Sequence, residues 1–166
     1  DELYEREYLK RYRDAKNSLV VLVMNAAGSL VGATTCLPMT EEGPEFRQAF
    51  EQEGTDLSEI FYFGESVLLE KWRGRGIGKL FFDRRESHAH KLGYRITAFC
   101  AVDRPPDHPQ RPPAYRPLDG FWQQRGYEKQ EGTQARFAWR EVGKAVATEK
   151  TLTFWTSCWS AFRSPS

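Results

Sequence analysis

The chain has 166 residues, of which 40% are hydrophobic and 28% charged, with a formal net charge of +1. That length suits one globular domain with its own core, and the near-zero charge excludes the basic footprint of a nucleic-acid binder. The sequence holds no apolar run of about 18 residues, so no transmembrane helix is expected, and no secretory signal at its start; no membrane partner is expected.

In chain order, residues 2–16 place Leu3, Tyr4, Tyr8 and Tyr12 at helical spacing, and Asn17 and Ser18 end that helix. SLVVLVMN is an apolar, β-branched run, NAAGS a turn and LVGATTCLPM a second strand, so 18–38 reads as a hairpin. The acidic stretch 41–59 carries Phe46, Ala49 and Phe50 on one side and reads as a short helix or an irregular excursion. IFYFGESVLL, 60–69, is a strand. Residues 77–92 form a helix with Ile77, Leu80, Phe81, His88 and Leu92 on its apolar face, closed by Gly93. RITAFCAVD follows as a strand, and then six of the nine prolines crowd 104–118, which cannot be helical. GFWQQRG is a short helix, and two strands over 133–141 and 150–156 complete the order. Only the unit 60–69, 77–92, 95–102 has the form of a parallel crossover, so the fold class is α+β with a mixed, mostly antiparallel sheet flanked by helices.

RGRGIGK, 73–79, raises the functional question, because so few side chains let backbone approach a ligand closely. A nucleotide P-loop fails on chemistry: Gly74 is one residue too near Gly78-Lys79, and Leu80 offers no hydroxyl for magnesium. A dinucleotide fingerprint requires G-x-G-x-x-G where this loop has G-x-G-x-G, although Asp103 ends the next strand where a ribose-binding acid belongs. The plain alternative is a glycine-rich turn with solvated basic residues.

The loop also resembles the pyrophosphate loop of the GNAT (GCN5-related) N-acetyltransferase superfamily, in the pattern Gln or Arg-x-x-Gly-x-Gly or Ala, through Arg73, Gly76 and Gly78. GESVLLEKWRGRGIGKLFFDRRESHAHKLGY resembles the family's central strand, loop and helix, and GFWQQRGY its late F-Y-x-x-x-G-F phrase. The similarity spans roughly 2–156, taken as one acetyltransferase-like domain (1–156), with 157–166 as a C-terminal tail whose Trp159 and Phe162 call for an apolar partner. The family's opening strand and first helix are expected to be lacking. The edge left open would then be a template for another chain, so a homodimer is a candidate assembly.

The resemblance implies acetyl-CoA as acetyl donor. Its pyrophosphate would lie on Arg73, Gly74, Arg75, Gly76, Ile77, Gly78 and Lys79, where loop amides and the helix dipole favour an anion. Its pantetheine would lie along Val67, Leu68 and Leu69 as though it were an added strand, at a place where the two central strands splay apart. It further implies direct attack by an amine, which requires a base, a group that polarises the thioester and an acid for the thiolate.

Glu65 is the candidate base, a carboxylate in an apolar strand whose burial would raise its pKa. The alternative is a carboxylate held by neighbouring amides or an arginine, and Ser66 is the weaker choice. Where many members carry an acidic tyrosine this sequence has Trp122, leaving Tyr115 as the candidate acid, Tyr127 as a packing aromatic and water as a further proton source. In the proline loop, Asp103, Asp107 and His108 suit a cationic amine, and Arg104, Arg111 and Arg116 a carboxylate, together an amino-acid-like or other small amine acceptor. A solvated loop is the competing reading, and a non-catalytic acyl-CoA-binding module the competing function. Cys36, Cys100 and Cys158, odd in number and irregularly spaced, point to a reducing cytoplasm. His88, His90 and His108 lack the spacing of a metal-binding helix, so no metal is expected.

Overall fold

The computed structural model describes residues 9–102, 118–139 and 148–159. A helix over 9–14 (α1) leads into strands β1 (Leu19–Met24) and β2 (Leu30–Pro38), helix α2 (Pro44–Glu51) and strand β3 (Ile60–Leu68). Helix α3 (Ile77–Lys91), strand β4 (Ile96–Val102), helix α4 (Asp119–Gln124) and strands β5 (Glu128–Trp139) and β6 (Thr148–Cys158) follow. The strands form a six-stranded sheet in the order β1-β2-β3-β4-β6-β5. Only β3 and β4 pair in parallel, and every other neighbouring pair is antiparallel. The fold is the expected α+β with a mixed, mostly antiparallel sheet.

Local chemistry explains the joints. Asn25 turns the β1–β2 hairpin by accepting from the Ala27 and Ser29 amides at 3.0 and 2.9 Å. Pro44 sits at the start of α2, where its missing N–H costs nothing. Helices α3 and α4 end alike: Gly93 and Gly126 take positive φ, and the next amides, of Tyr94 and Tyr127, reach back to Ala89 and Trp122 oxygens, both at 3.0 Å. The second of these motifs delivers Tyr127 into the core, as a packing aromatic.

Alternation along the strands divides the core by face. Tyr12, Leu37, Phe50, Tyr62, Ala98 and Phe154 pack beneath α1 and α2. Cys36, Phe61, Phe63, Phe82, Phe99 and Trp155 pack beneath α3 and α4.

Several expectations need correction. Leu80 and Leu92 are exposed, and the buried stripe of α3 is Phe81, Phe82, Arg85 and Ala89. The charge of Arg85 hides that stripe from an apolar count. The last two strands begin earlier than the apolar signal, and β6 continues to Cys158. Register there is carried across an irregularity between Gln130 and Gln134 by polar residues. Trp159 has a partner: its ring stacks on His90 at 4.3 Å, and its amide donates to the Arg95 oxygen. Leu3, Tyr4, Tyr8 and Phe162, and the whole proline loop 104–117, lie outside the described residues.

Candidate active site

The central feature is a parting of strands. β3 and β4 pair only from Ile60↔Ile96 to Tyr62↔Ala98. Beyond Tyr62, β3 keeps β2 as its partner, and beyond Ala98, β4 keeps β6. At the same level the β2–β3 register slips between Thr34 and Cys36, so that Thr35 faces both Gly64 and Glu65, a bulge of the kind that bends a strand. Thr35 Oγ1 accepts from the Glu65 amide at 3.1 Å, and Thr34 Oγ1 donates to the Glu65 carbonyl at 3.1 Å and bonds Ser66 Oγ at 2.7 Å. The threonines thus hold the bulge open from the β2 side.

A cleft of 290 Å³ occupies the parting. Gly64 and Ser66 line it from β3, Phe99 and Cys100 from β4, and Gly78 and Arg85 from α3. Phe99 belongs to the α3/α4 core and Cys100 packs against the α1/α2 core, so the cleft runs through the sheet rather than over it. Trp122 closes it from α4, its ring 4.8 Å from Phe99 and 5.1 Å from Trp155.

The glycine loop stands at the cleft's mouth. Gly74 and Gly76 take φ of 73° and 83°, left-handed values that suit glycine. Gly76 caps α3 without any side-chain bond, and the first intrahelical bond is donated by the Leu80 amide to the Gly76 oxygen at 3.2 Å. The amides of residues 76–79 therefore precede the helical ladder, where the dipole is positive. A Cβ at Gly74, Gly76 or Gly78 would meet nothing within 4 Å, so the ground over these amides is open. Trp72 Nε1 is buried there without a hydrogen-bond partner among the described residues, and the Arg75 guanidinium lies 4.6 Å over the Trp72 ring. Arg73 Nε donates to the Leu68 oxygen at 3.3 Å, which ties the loop to the end of β3. Lys79 is exposed. Open amides, an orphaned indole N–H and three nearby cations are a donor set fitted to a phosphate-bearing ligand.

The structure brings Arg73, Gly74, Arg75, Gly76, Ile77, Gly78 and Lys79 together as one surface, with Val67, Leu68 and Leu69 leading into it. Val67 and Leu69 are exposed, and the β3 edge they share has lost β4. Glu65 lies at the bulge beside the parting of the strands, but it is exposed, so the burial expected to raise its pKa is not found. The bulge sets Glu65 and Gly64 together against Thr35, while Ser66 Oγ bonds Thr34 and Ser66 lines the cleft. Tyr115, Asp103, Arg104, Asp107, His108, Arg111 and Arg116 lie outside the described residues. Among the described residues, no group of His, Cys, Asp and Glu is placed to hold a metal, and no helix is long and apolar enough to cross a membrane.

Sequence reasoning missed two groups. The first is the Tyr12–Glu42 pair beneath the bulge. Glu42 is buried, accepts from Tyr12 Oη at 2.9 Å and from the Gly43 amide at 2.8 Å, and meets Arg11 at 3.3 Å. A Cβ at Gly64 would fall 2.1 Å from Tyr12 Oη, so this phenol presses on the bulge itself. The second is Arg85, which lines the cleft while only 3% exposed. The signal for Arg85 was a charged residue on the core-facing stripe of α3, whereas Glu42, in a bend within an acidic run, carried none.

No family model and no curated protein matches the sequence. Solved structures do match. A GCN5-related N-acetyltransferase from Kribbella flavida is 14% identical over 93% of this chain and 76% of its own, with TM-score 0.56. An IAA acetyltransferase from Bacillus cereus is 13% identical over 95% and 85%, with TM-score 0.57. A GNAT-family acetyltransferase from Elizabethkingia anophelis, solved with acetyl-CoA bound, is 12% identical over 92% and 82%, with TM-score 0.56. At these identities the likeness concerns architecture: the chain has the GNAT acetyltransferase fold.

Proposed function

We propose that the protein is an N-acetyltransferase that takes acetyl-CoA as donor and a primary amine of a small-molecule or amino-acid-like compound as acceptor. The parting of β3 from β4 beside an uncapped helix start carries this reading, because it joins a phosphate-binding surface to a slot through the sheet. When bound, acetyl-CoA supplies an activated acyl group. Arg73, Lys79 and the amides of 76–79 would hold its phosphates, and the β3 edge at Val67, Leu68 and Leu69 its amides. Glu65, at the bulge, is the proposed base for the amine proton, acting from an exposed position, and Tyr115 the proposed acid. The test is free-thiol release from acetyl-CoA across a panel of amines, with Glu65→Gln as control. Turnover on at least one amine, reduced by at least about 100-fold in the variant, is the expected result.

The second reading is a non-catalytic acyl-CoA-binding module, favoured by Trp122, which has no O–H to offer and is packed between Phe99 and Trp155. CoA binding without turnover on any amine would select it. Two further readings belong to the proposal. The cytoplasm is the proposed location, on three free cysteines, and disulfide-linked protein from cells would overturn it. A homodimer through the open β1 edge, where Val20, Leu22 and Met24 are exposed, is the proposed assembly, to be checked by sedimentation.

A further inference from the structure

Arg85 is an anomaly of the core. It lies in the middle of α3, is 3% exposed, and has its guanidinium 4.5 Å over the Phe63 ring and 4.9 Å over the Phe82 ring. Its Nε donates to the Phe81 oxygen at 3.2 Å. Among the described residues no carboxylate forms a salt bridge with it. The nearest acid on its own helix, Glu86, is taken by Arg125 and Tyr127. Burying a cation without a counter-charge is costly, and two aromatic faces recover only a part of that cost. Such a charge is retained where an anion forms next to it.

The cleft supplies that place. Arg85 lines it together with Gly64, Ser66 and Cys100, at the depth where β3 and β4 have separated. We propose that the Arg85 guanidinium is a catalytic group that stabilises negative charge on the departing sulfur of the acyl donor, in the cleft that Trp122 also lines. The inference rests on the acyl-CoA reading above. In the transfer, the amine lone pair forms the C–N bond to the acyl carbon while the C–S bond breaks with its electron pair left on sulfur. The amine proton passes to Glu65 or water, and the thiolate later takes a proton from water. Arg85 stays protonated throughout: burial pushes it down to about 10, which leaves it charged at neutral pH. The titratable groups around it are Cys36 of β2, Tyr127 after α4, Glu86 of its own helix and Tyr12 of α1, all of which act to raise its pKa. Burial pushes the Cys36 thiol up to about 12 and the Tyr127 phenol higher still, so neither competes as an anion at neutral pH.

The test is equilibrium binding of CoA and of desulfo-CoA, which lacks the sulfur, to the wild type, Arg85→Met and Arg85→Lys, from about pH 6 to about pH 10 on either side of a free thiol's value of about 8.5. In the wild type the preference for CoA over desulfo-CoA is expected to grow by on the order of tenfold as the bound thiol ionises below that value. Arg85→Met should flatten this preference and leave desulfo-CoA affinity unchanged, and Arg85→Lys should retain most of it. A preference independent of pH in the wild type, or one that persists in Arg85→Met, overturns the proposal while leaving the CoA reading intact. Failure of both ligands to bind the wild type removes the CoA reading and the role of Arg85 with it. If Arg85→Met does not fold, the wild-type and Arg85→Lys profiles decide.

Discussion

Gly64→Ala probes the bulge at its tightest point. The added Cβ would lie 2.1 Å from Tyr12 Oη and 2.6 Å from Thr35 Oγ1. To reach a C···O contact of roughly 3.3 Å the phenol must withdraw by roughly 1 Å. Tyr12 Oη is also the donor to Glu42 at 2.9 Å, so withdrawal leaves a buried carboxylate short of one partner. A hydrogen bond to a charged group contributes about 1.5–3 kcal/mol and overpacking costs about 1–3 kcal/mol. Alanine's smaller entropy loss in a strand returns about 0.5–1 kcal/mol. The expected net loss is about 3 kcal/mol, read as a shift in the urea midpoint at unchanged slope. Tyr12→Phe in the same background removes the hydroxyl but leaves Cζ at 2.8 Å from the new methyl, so the pair should couple by at least about 1 kcal/mol in a double-mutant cycle. A loss below about 1 kcal/mol for Gly64→Ala, or additive single effects, would show that Tyr12 does not bear on the bulge.

On the proposed phosphate surface, Arg73→Ala and Lys79→Ala should each weaken CoA binding by on the order of tenfold in calorimetry, with a smaller salt dependence than the wild type. An unchanged affinity in both would remove the loop from the donor site. Gly76→Ala has open space for its methyl but holds φ at 83°, so it should lower stability by about 1–2 kcal/mol through backbone strain alone. A neutral substitution there would show that the left-handed turn relaxes. Burial lowers the His90 pKa below its ordinary value, in the ring stack with Trp159. With the folded value depressed, the unfolded chain binds more protons, so this contribution is intact above about pH 6.5 and is lost as pH falls through the folded pKa. His90→Phe keeps the stack and should abolish that slope in urea midpoints measured across the window; an equal slope in the variant would sink the assignment.

The order of elements was legible because each carries a local signal: a β-branched run, an Asn-centred turn, a glycine past a helix end. The glycine loop was legible for the same reason, since its chemistry is backbone and its spacing lies within one stretch of chain. What could not be read are the features made by two distant segments. Glu65 was judged by its strand neighbours, yet it sits in a bulge made with Thr35 opposite, which takes two residues of β3 against one of β2. The α3 stripe was read by hydrophobicity, yet Arg85 is buried with its guanidinium over the ring of Phe63, on a different element, β3. Glu42 looked like one acid in an acidic run until Tyr12 and the Gly43 amide enclosed it.

These distant pairings give the two faces of the sheet different electrostatic characters. From the α1/α2 side the bulge is met by Tyr12, backed by the buried Glu42, with Tyr62 bonded to Cys100 at 3.2 Å nearby. On the α3/α4 side, Arg85, with no salt bridge among the described residues, lines the cleft together with Gly64. Gly64 has no side chain to separate them, and Tyr12 is close enough to act on the Arg85 ionisation. In a transfer between two bound partners, a cation suits the side where a leaving anion forms, and a carboxylate-backed phenol suits the side where an amine arrives. Loss of the Tyr12 hydroxyl should therefore act on the acceptor and loss of Arg85 on the donor, whereas a methyl at position 64 disturbs both sides at once.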